Sequence, residues 1–218
     1  MRRALLVLSV VGVLLAEKPL FAEASVYRVI GVSGPVEWLE PVTKQPRPLK
    51  ERDELPAGSV VRTGEKAEVD LASDPHLESV LRIGPRTQVT FLSNFPLRLA
   101  LDEGSLFILK EEQRYVNRDA GLSQEVRVLT RDFLVSVRQG GCVLEQSGGG
   151  TALKAFSEEV QVYPKTGGAF AQTPLAVEEG YRYTASGLQR LAFPDYEAWR
   201  DWYKRNDERR DGLAGKTH

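Results

Sequence analysis

The histidines and the paired acidic residues are the side chains that could carry metal or acid–base chemistry. His76 follows Pro75 in a turn-like segment, and His218 is the last residue. Zinc sites and Ser-His-Asp triads need several partners, and the histidines show no metal-binding spacing such as His-x-x-x-His. Glu158-Glu159 and Glu178-Glu179 flank predicted turns, where solvated side chains are the simplest interpretation. A glycosidase pair stays open, since it would be defined in space. We predict no enzyme, no metal site and no cofactor.

Cys142 is the single cysteine, so an intramolecular disulfide is excluded. It lies in the alternating run Gly140-Gly-Cys142-Val-Leu144, which predicts a small buried hydrophobic side chain. The alternatives are an intermolecular bridge and a reactive thiol, for which Arg138 would be the cationic neighbour. The Gly148-Gly-Gly150 run lacks the Lys-Ser/Thr pair and the helix of a phosphate-binding loop, and it predicts a flexible hairpin tip.

The first residues have the three parts of a secretory signal. Arg2 and Arg3 form a basic start, Ala4 to Ala16 is an uncharged apolar run, and Ala22-Glu-Ala24 is a small-x-small cleavage site. The alternatives are a short membrane anchor and a buried helix. We expect cleavage and an exported protein, periplasmic or secreted, with no stable membrane span afterwards, because no later apolar run is long enough. The formal net charge of −1 gives no electrostatic case for nucleic-acid binding.

Short alternating segments separated by glycines fill most of the remaining chain. In Leu55 to Leu71, for example, Ala67, Val69 and Leu71 alternate with charged residues, as in a half-buried strand. Many such segments, with no long helical period between them, predict a mainly β fold: a sandwich, a barrel or a short β-helix. Glu111 to Ser123 lacks alternation and predicts a surface loop. The glycines expected at structural turn positions are Gly58, Gly64, Gly84, Gly104 and Gly180.

Helix signals occur only near the C-terminus, where Pro194-Asp195 is a plausible helix start. Tryptophan, tyrosine and arginine are enriched at interface hot spots, so the aromatic stripe that follows is the candidate partner surface. The alternative is that the stripe packs on the chain's own β domain as a lid over an open edge. Trp38 is a candidate glycan-binding aromatic, with burial in the core as the alternative. The residues of the stripe and its neighbouring arginine are Tyr196, Trp199, Arg200, Trp202 and Tyr203.

The order of these motifs resembles the periplasmic FecR domain. That family's pattern of apolar-x-x-Gly-x-x-apolar-x-Thr-Gly and then small-x-apolar-x-Leu is matched by Leu55, Gly58, Val61, Thr63, Gly64, Ala67, Val69 and Leu71. Further matches follow in the family's order at Leu81, Ile83, Thr87, Val89 and Phe91, at Leu99, Leu101, Gly104 and Leu106, at Val128, Thr130, Val137 and Arg138, at Ala155, Phe156, Val160 and Val162, and at Leu175 or Val177 with Gly180. Two turns differ from the pattern, at Asp74 to Ser79 and at Gln139 to Cys142.

The resemblance implies a periplasmic β module for protein–protein contact or envelope assembly in bacteria. Family members that act on a cytoplasmic sigma factor need a cytoplasmic region and a membrane span, so we do not expect sigma regulation from a chain with a cleaved signal. The expected organisation is a signal peptide at 1–24, a FecR-like β domain at 25–185, and an aromatic, charged C-terminal helix and tail at 186–218. The expected partner is another envelope protein. The alternative is a peptidoglycan- or glycan-binding module that binds the cell wall.

Overall fold

The computed structural model describes residues 27–73, 79–94, 96–110, 125–156, 160–166, 168–171, 175–176, 180–184, 187–191 and 197–214. Several predictions fall outside these ranges: the signal peptide, the loop from Glu111 to Ser123, both histidines and Tyr196. Within the described ranges, no helix is both long and apolar enough to cross a membrane.

Strands make up most of the described chain, as the alternating pattern predicts. They are β1 (Tyr27–Ser33), β2 (Val36–Leu39), β3 (Pro46–Pro48), β4 (Glu54–Leu55), β5 (Val60–Thr63), β6 (Glu68–Ala72), β7 (Ser79–Ile83), β8 (Gln88–Asn94), β9 (Leu97–Lys110), β10 (Val126–Leu129), β11 (Phe133–Val137), β12 (Gly140–Ser147), β13 (Gly150–Ala155), β14 (Val160–Thr166), β15 (Ala169–Phe170), β16 (Leu175–Ala176), β17 (Gly180–Thr184) and β18 (Gly187–Leu191). The helix, α1, spans Glu197–Ala214. The mainly β fold with one C-terminal helix is confirmed.

The strands form two sheets. The covered sheet, so named because α1 packs on its outer face, has the antiparallel order β4-β1-β6-β7-β9-β12-β13-β17-β18. The open sheet has the order β3-β2-β5-β8-β9-β10-β11-β14-β16, antiparallel except for the parallel β9–β10 pair. β15 pairs with β14 beyond that sheet. Proline stands at both ends of the edge strand β3, and it cannot donate a ladder hydrogen bond there.

β9 belongs to both sheets. Its first half pairs with β8 and β10 in the open sheet, and its second half pairs with β7 and β12 in the covered sheet. Gly104 lies between the halves at φ +91°, and a Cβ there would lie 2.5 Å from the Cα of Thr87. Only glycine fits such a left-handed, crowded position. Strands that switch sheets through a bend make the corners of packed sheets.

The main core fills the space between the two sheets. It is built from alternate residues of each strand, as the period of two requires. Tyr27 of the covered sheet and Phe91 of the open sheet meet across it, with ring centroids 6.1 Å apart. Leu71, Leu81 and Ile108 contribute from one side, and Val61, Leu99 and Val135 are among those from the other. The arrangement is therefore a sandwich, one of the three architectures left open by the sequence.

Some boundaries differ from the sequence predictions. Gly58 lies in a turn, and Gly64 and Gly84 stand directly before turns, as predicted. Gly104 and Gly180 are not turns, because they lie within β9 and at the start of β17. For Gly104 the reason is physical: the bend moves a continuous strand from one sheet to the other instead of reversing it. The sheet also continues to Leu191, past the expected boundary at 185, since β18 pairs with β17.

Candidate functional site: the outer faces of the two sheets

Cross-strand neighbours form a continuous row on the outer face of the covered sheet. Registered Cα pairs connect Gly31 to Asp70, Asp70 to Arg82, Arg82 to Phe107 and Phe107 to Val143. A charged pair and two apolar side chains thus lie side by side on one surface. Half of this surface needs an apolar cover, and the other half needs hydrogen-bond partners if it is covered.

Helix α1 supplies the apolar cover through its two tryptophans. The Trp199 ring stacks on Phe156 with centroids 4.2 Å apart and planes inclined by 6°. The Phe107 ring meets it edge-on, with centroids 6.3 Å apart. Beneath the ring lies Gly141, where a Cβ would be 2.7 Å from both Trp199 Cζ2 and the carbonyl oxygen of Ile108. The missing side chain at Gly141 therefore lets the indole rest directly on the sheet.

Trp202 joins the apolar and polar halves of the interface. Its ring centroid is 5.7 Å from that of Phe107 in an edge-on arrangement, which is favourable for aromatic pairs. Its Nε1 donates a hydrogen bond of 3.2 Å to Oδ1 of Asp70. The side chain is fully buried, so this N–H needs the protein acceptor.

Asp70 is the acceptor at the centre of a buried polar network. Arg82 Nε and Nη2 donate to its two oxygens at 2.7 and 2.9 Å, which is a bidentate pair. Arg82 also pairs with Glu68 at 3.2 Å and lies over the Trp202 ring at 5.9 Å. Burial alone would lower the pKa of Arg82, but the hydrogen bond and charge of Asp70, with the charge of Glu68, raise it above the ordinary value. The guanidinium therefore stays charged inside the interface.

Near its C-terminal end, α1 contacts strand β6 on the same outer face of the covered sheet. Arg209 Nη1 donates to Oδ2 of Asp70 at 3.3 Å and to Oδ1 of Asn206 at the same distance. The buried Asn206 donates in turn to the carbonyl oxygen of Trp202 at 3.0 Å. Because contacts move from β12 at Trp199 to β6 at Arg209, α1 crosses the strands instead of running along them.

The predicted partner surface is thus divided. Trp199 and Trp202 face the covered sheet and are 6% and 0% exposed, so the packing alternative describes them. The two tryptophans pack on the apolar outer face of the covered sheet, and this contact removes both surfaces from water. Arg200 and Tyr203 lie on the outward side, and Tyr203 is 40% exposed. Tyr196 lies outside the described residues.

The outer face of the open sheet carries a second row, which we call the apolar row. Registered pairs connect Leu39 to Val60, Val60 to Thr90, Thr90 to Ala100, Ala100 to Leu129, Leu129 to Leu134, and Leu134 to Tyr163. Each of these residues is partly exposed. The described helix packs on the other sheet. Within the part of the chain that the structure describes, the outer face of the open sheet therefore presents a row of partly exposed residues that is apolar except for Thr90.

The two sides of the apolar row differ in charge. On one side Arg62, Gln88 and Asp102 form a hydrogen-bonded chain with distances of 2.8 and 2.9 Å, so their charges are already matched. On the other side Arg98 and Arg127 are Cα partners on adjacent strands. We call Arg98, Arg127 and Arg138 the basic flank.

The basic flank holds more positive than negative charge. Glu125 pairs with Arg127 and, at 3.7 Å, with Arg138, and it also accepts a hydrogen bond from Ser136. Arg98 is exposed and makes no ion pair among the described residues. The basic flank thus has three arginines, and Glu125 forms ion pairs with two of them. The surface beside the apolar row is complementary to an acidic partner.

Sequence reasoning missed the apolar row, although a signal for it exists. Strands with one solvated face alternate apolar and polar residues, but Val60-Val61, Val128-Leu129 and Phe133-Leu134-Val135 are apolar in both phases. That breach of alternation indicates apolar residues on the outer as well as the inner face. Whether these residues meet on one line depends on strand register, which the sequence does not display.

Two candidates for chemistry lie in the core. Cys142 is fully buried between the sheets, which confirms the prediction of a small buried hydrophobic side chain. The burial also raises the pKa of its thiol. Trp38 is 6% exposed and belongs to the same core, so it is no glycan-stacking surface; Arg47 lies over its ring at 4.7 Å. Among the described residues, no group of three or more His, Cys, Asp or Glu side chains is placed to hold a metal ion.

Comparison with known proteins gives a partial likeness of fold. No protein-family model and no curated protein matches the chain. Two crystal structures of a candidate anti-sigma factor from Parabacteroides distasonis, at 2.50 and 1.65 Å resolution, are similar at 13% sequence identity, with TM-scores of 0.44 and 0.43. The similar region covers 62% of this chain and spans 59% of the crystallised chain. The FecR-like pattern described above therefore stays a resemblance of sequence.

Proposed function

We propose that this protein is an exported, non-catalytic β module that binds another protein of the bacterial cell envelope. The observation that supports this function is the apolar row on the open sheet, flanked by arginines. Export to the periplasm is supported by the basic start, the apolar run and the small-x-small site at the N-terminus.

The contrast between the two outer faces is the reason for this choice. An antiparallel sheet face that meets water is normally polar. On the covered sheet, the apolar part of the outer face is removed from water by Trp199 and Trp202. On the open sheet, Leu129 and Leu134 are neighbours in the apolar row and lie partly exposed. Contiguous apolar surface with a charged rim is typical of protein-binding sites.

Among the described residues, the glycan-binding alternative has no comparable surface. Sugar-binding sites use exposed aromatic faces, and tryptophan is the strongest candidate for that role. The chain has three tryptophans, and Trp38, Trp199 and Trp202 are all buried. Tyr163, within the apolar row, donates its hydroxyl hydrogen to Gln161 at 2.8 Å. Tryptophan therefore supplies no exposed ring for sugar stacking, and Tyr203 on α1 is the aromatic side chain that the described structure leaves most exposed.

A capture experiment tests the proposed function. Residues 25–218 would be immobilised as bait for a cell envelope extract, and the same protein would be sedimented with purified peptidoglycan. We expect a discrete protein partner that a second, untagged copy of the chain competes away, and no sedimentation with the wall. Sedimentation with peptidoglycan and no specifically competed protein would contradict the proposal and favour the glycan-binding function.

A further inference from the structure

The apolar row runs across the strands, which restricts what can lie on it. Its members lie on successive strands from β2 to β14, and neighbouring strands are about 4.8 Å apart. An added strand would pair at a sheet edge and not along this line. An α-helix advances about 5.4 Å per turn, so a helix lying along the row can place one side chain over each strand.

The chain itself contains a helix in this arrangement. On the covered sheet, α1 crosses the strands with successive contacts at Trp199, Trp202 and Arg209. Those residues are spaced three and seven apart, which puts them on one helix face. The same sandwich thus shows that a helix can lie across its strands and be anchored by side chains of one helix face.

The outward side of α1 does not suit the apolar row. Arg200, Asp201, Lys204 and Glu208 face solvent there, with Tyr203 as the exposed aromatic side chain. A second copy that used its own open sheet would bring a second basic flank to the interface, and the two flanks would repel each other. Neither of these two described surfaces supplies both an apolar edge and acidic groups for the basic flank.

We propose that the apolar row and the basic flank bind an amphipathic α-helix of a partner protein, about 20 residues long, with an acidic edge beside its apolar edge. The length follows from six steps of about 4.8 Å between strands and about 1.5 Å of helix rise per residue. Leu129 and Leu134 meet the apolar edge, and Arg98 and Arg127 meet the carboxylates. This inference rests on the proposed function and names the surface and the chemistry of the partner.

A synthetic helix tests the inference directly. The probe is a fluorescent amphipathic peptide with leucines along one edge and glutamates along the next, compared with a twin in which lysines replace the glutamates. We expect the glutamate peptide to bind the mature protein at least about tenfold more tightly than its twin, with the preference shrinking as salt rises. The measurement is fluorescence anisotropy, with amide shifts in NMR spectra to locate the peptide.

Variants on the two faces separate the surfaces. Leu134→Ser and Arg98→Glu alter the proposed surface. Leu134 is partly exposed and Arg98 is exposed, so the fold should persist. Tyr203→Ala and Lys204→Glu on α1 are the matched controls on the opposite side. We expect at least about a tenfold loss of glutamate-peptide binding for the first pair, about none for the second, and a gain of lysine-peptide binding in Arg98→Glu.

Several outcomes would overturn the inference. They are no binding of the glutamate peptide, equal binding of both peptides, peptide-induced shifts confined to the covered sheet, or a dimer in light scattering that Leu134→Ser dissolves. The envelope capture distinguishes the two proposals. A partner captured equally well by Leu134→Ser and the unchanged chain would leave the proposed function standing and contradict only the assignment to this surface.

Discussion

Trp202 donates its indole hydrogen to Asp70 at 3.2 Å, across a separation of 132 residues in the chain. The bond joins the C-terminal helix to an early strand of the sandwich. It also completes the network in which the Asp70 carboxylate accepts hydrogen bonds from Arg82 and Arg209. The helix is thereby fixed at one place on the sheet by direction-dependent bonds, in addition to apolar contact.

Replacing Trp202 separates these two contributions. Trp202→Phe keeps an aromatic ring but removes the donor, and we expect a loss of about 1–3 kcal/mol in the free energy of unfolding. Trp202→Ala also removes the buried ring, and we expect about 3–5 kcal/mol. Urea unfolding measures both. Tyr203→Ala, on the exposed side of the same helix, should stay within about 0.5 kcal/mol. A Trp202→Phe protein as stable as the unchanged chain would show that the bond to Asp70 contributes nothing.

The Asp70–Arg82 pair should behave as a unit. Both side chains are nearly buried, so Asp70→Ala leaves a desolvated guanidinium with Glu68 as its remaining acidic partner, and we expect a loss of about 3–5 kcal/mol. The double variant Asp70→Ala/Arg82→Met removes both charges, and its loss should be smaller than the sum of the single losses. Unfolding of all four proteins in urea gives the coupling energy. Additive losses would mean that the two groups do not depend on each other.

Gly141 tests how closely α1 approaches the sheet. Gly141→Ala places a methyl group against Trp199 and the Ile108 carbonyl, and we expect a loss of about 1–3 kcal/mol from overpacking. Gly148→Ala is the matched control, because a Cβ there would meet no atom within 4 Å. The tryptophan fluorescence of the chain should shift to longer wavelength in Gly141→Ala if the Trp199 ring is displaced towards water. An unchanged unfolding midpoint for Gly141→Ala would contradict the close packing.

Cys142 should make stability depend on alkaline pH. Burial raises its pKa in the folded protein, so the stabilisation is complete below the unfolded pKa of about 8.5 and is lost as pH rises above it. The thiol should lower the free energy of unfolding by about 1.4 kcal/mol for each further pH unit. In Cys142→Ala, the free energy of unfolding should fall less steeply between about pH 9 and 11 than in the unchanged chain. Urea unfolding at several pH values measures this difference. A thiol reagent should label Cys142 only after unfolding. Rapid labelling of the folded protein would contradict the burial.

The sequence allowed local features to be predicted well. Alternation located strands such as β6 and β8, and Pro194-Asp195 placed the helix start close to Glu197. The predicted turn at Gly104 was wrong because a glycine that reverses a chain and one that bends a strand have the same local signature. What decides between them is Thr87, which is close in space through strand pairing.

The candidate surfaces were less predictable for the same reason. The aromatic stripe was identified, but its burial depends on Phe107 and Phe156, which lie far from it in sequence. The apolar row depends on register across strands from β2 to β14, and no local pattern reports that register. Periodicity therefore predicts which residues of a strand share a face. Which strand faces lie side by side depends on pairing between residues that are far apart in the sequence.

The sharing of β9 between the two sheets has a consequence for how the protein comes apart. If either sheet unfolds, one half of β9 loses its hydrogen bonds while the other half still belongs to the second sheet. We expect the two layers to lose protection against hydrogen exchange together, as a single cooperative unit. The amides of β9 should be among the last to exchange with solvent, and denaturation should leave no half-sandwich behind.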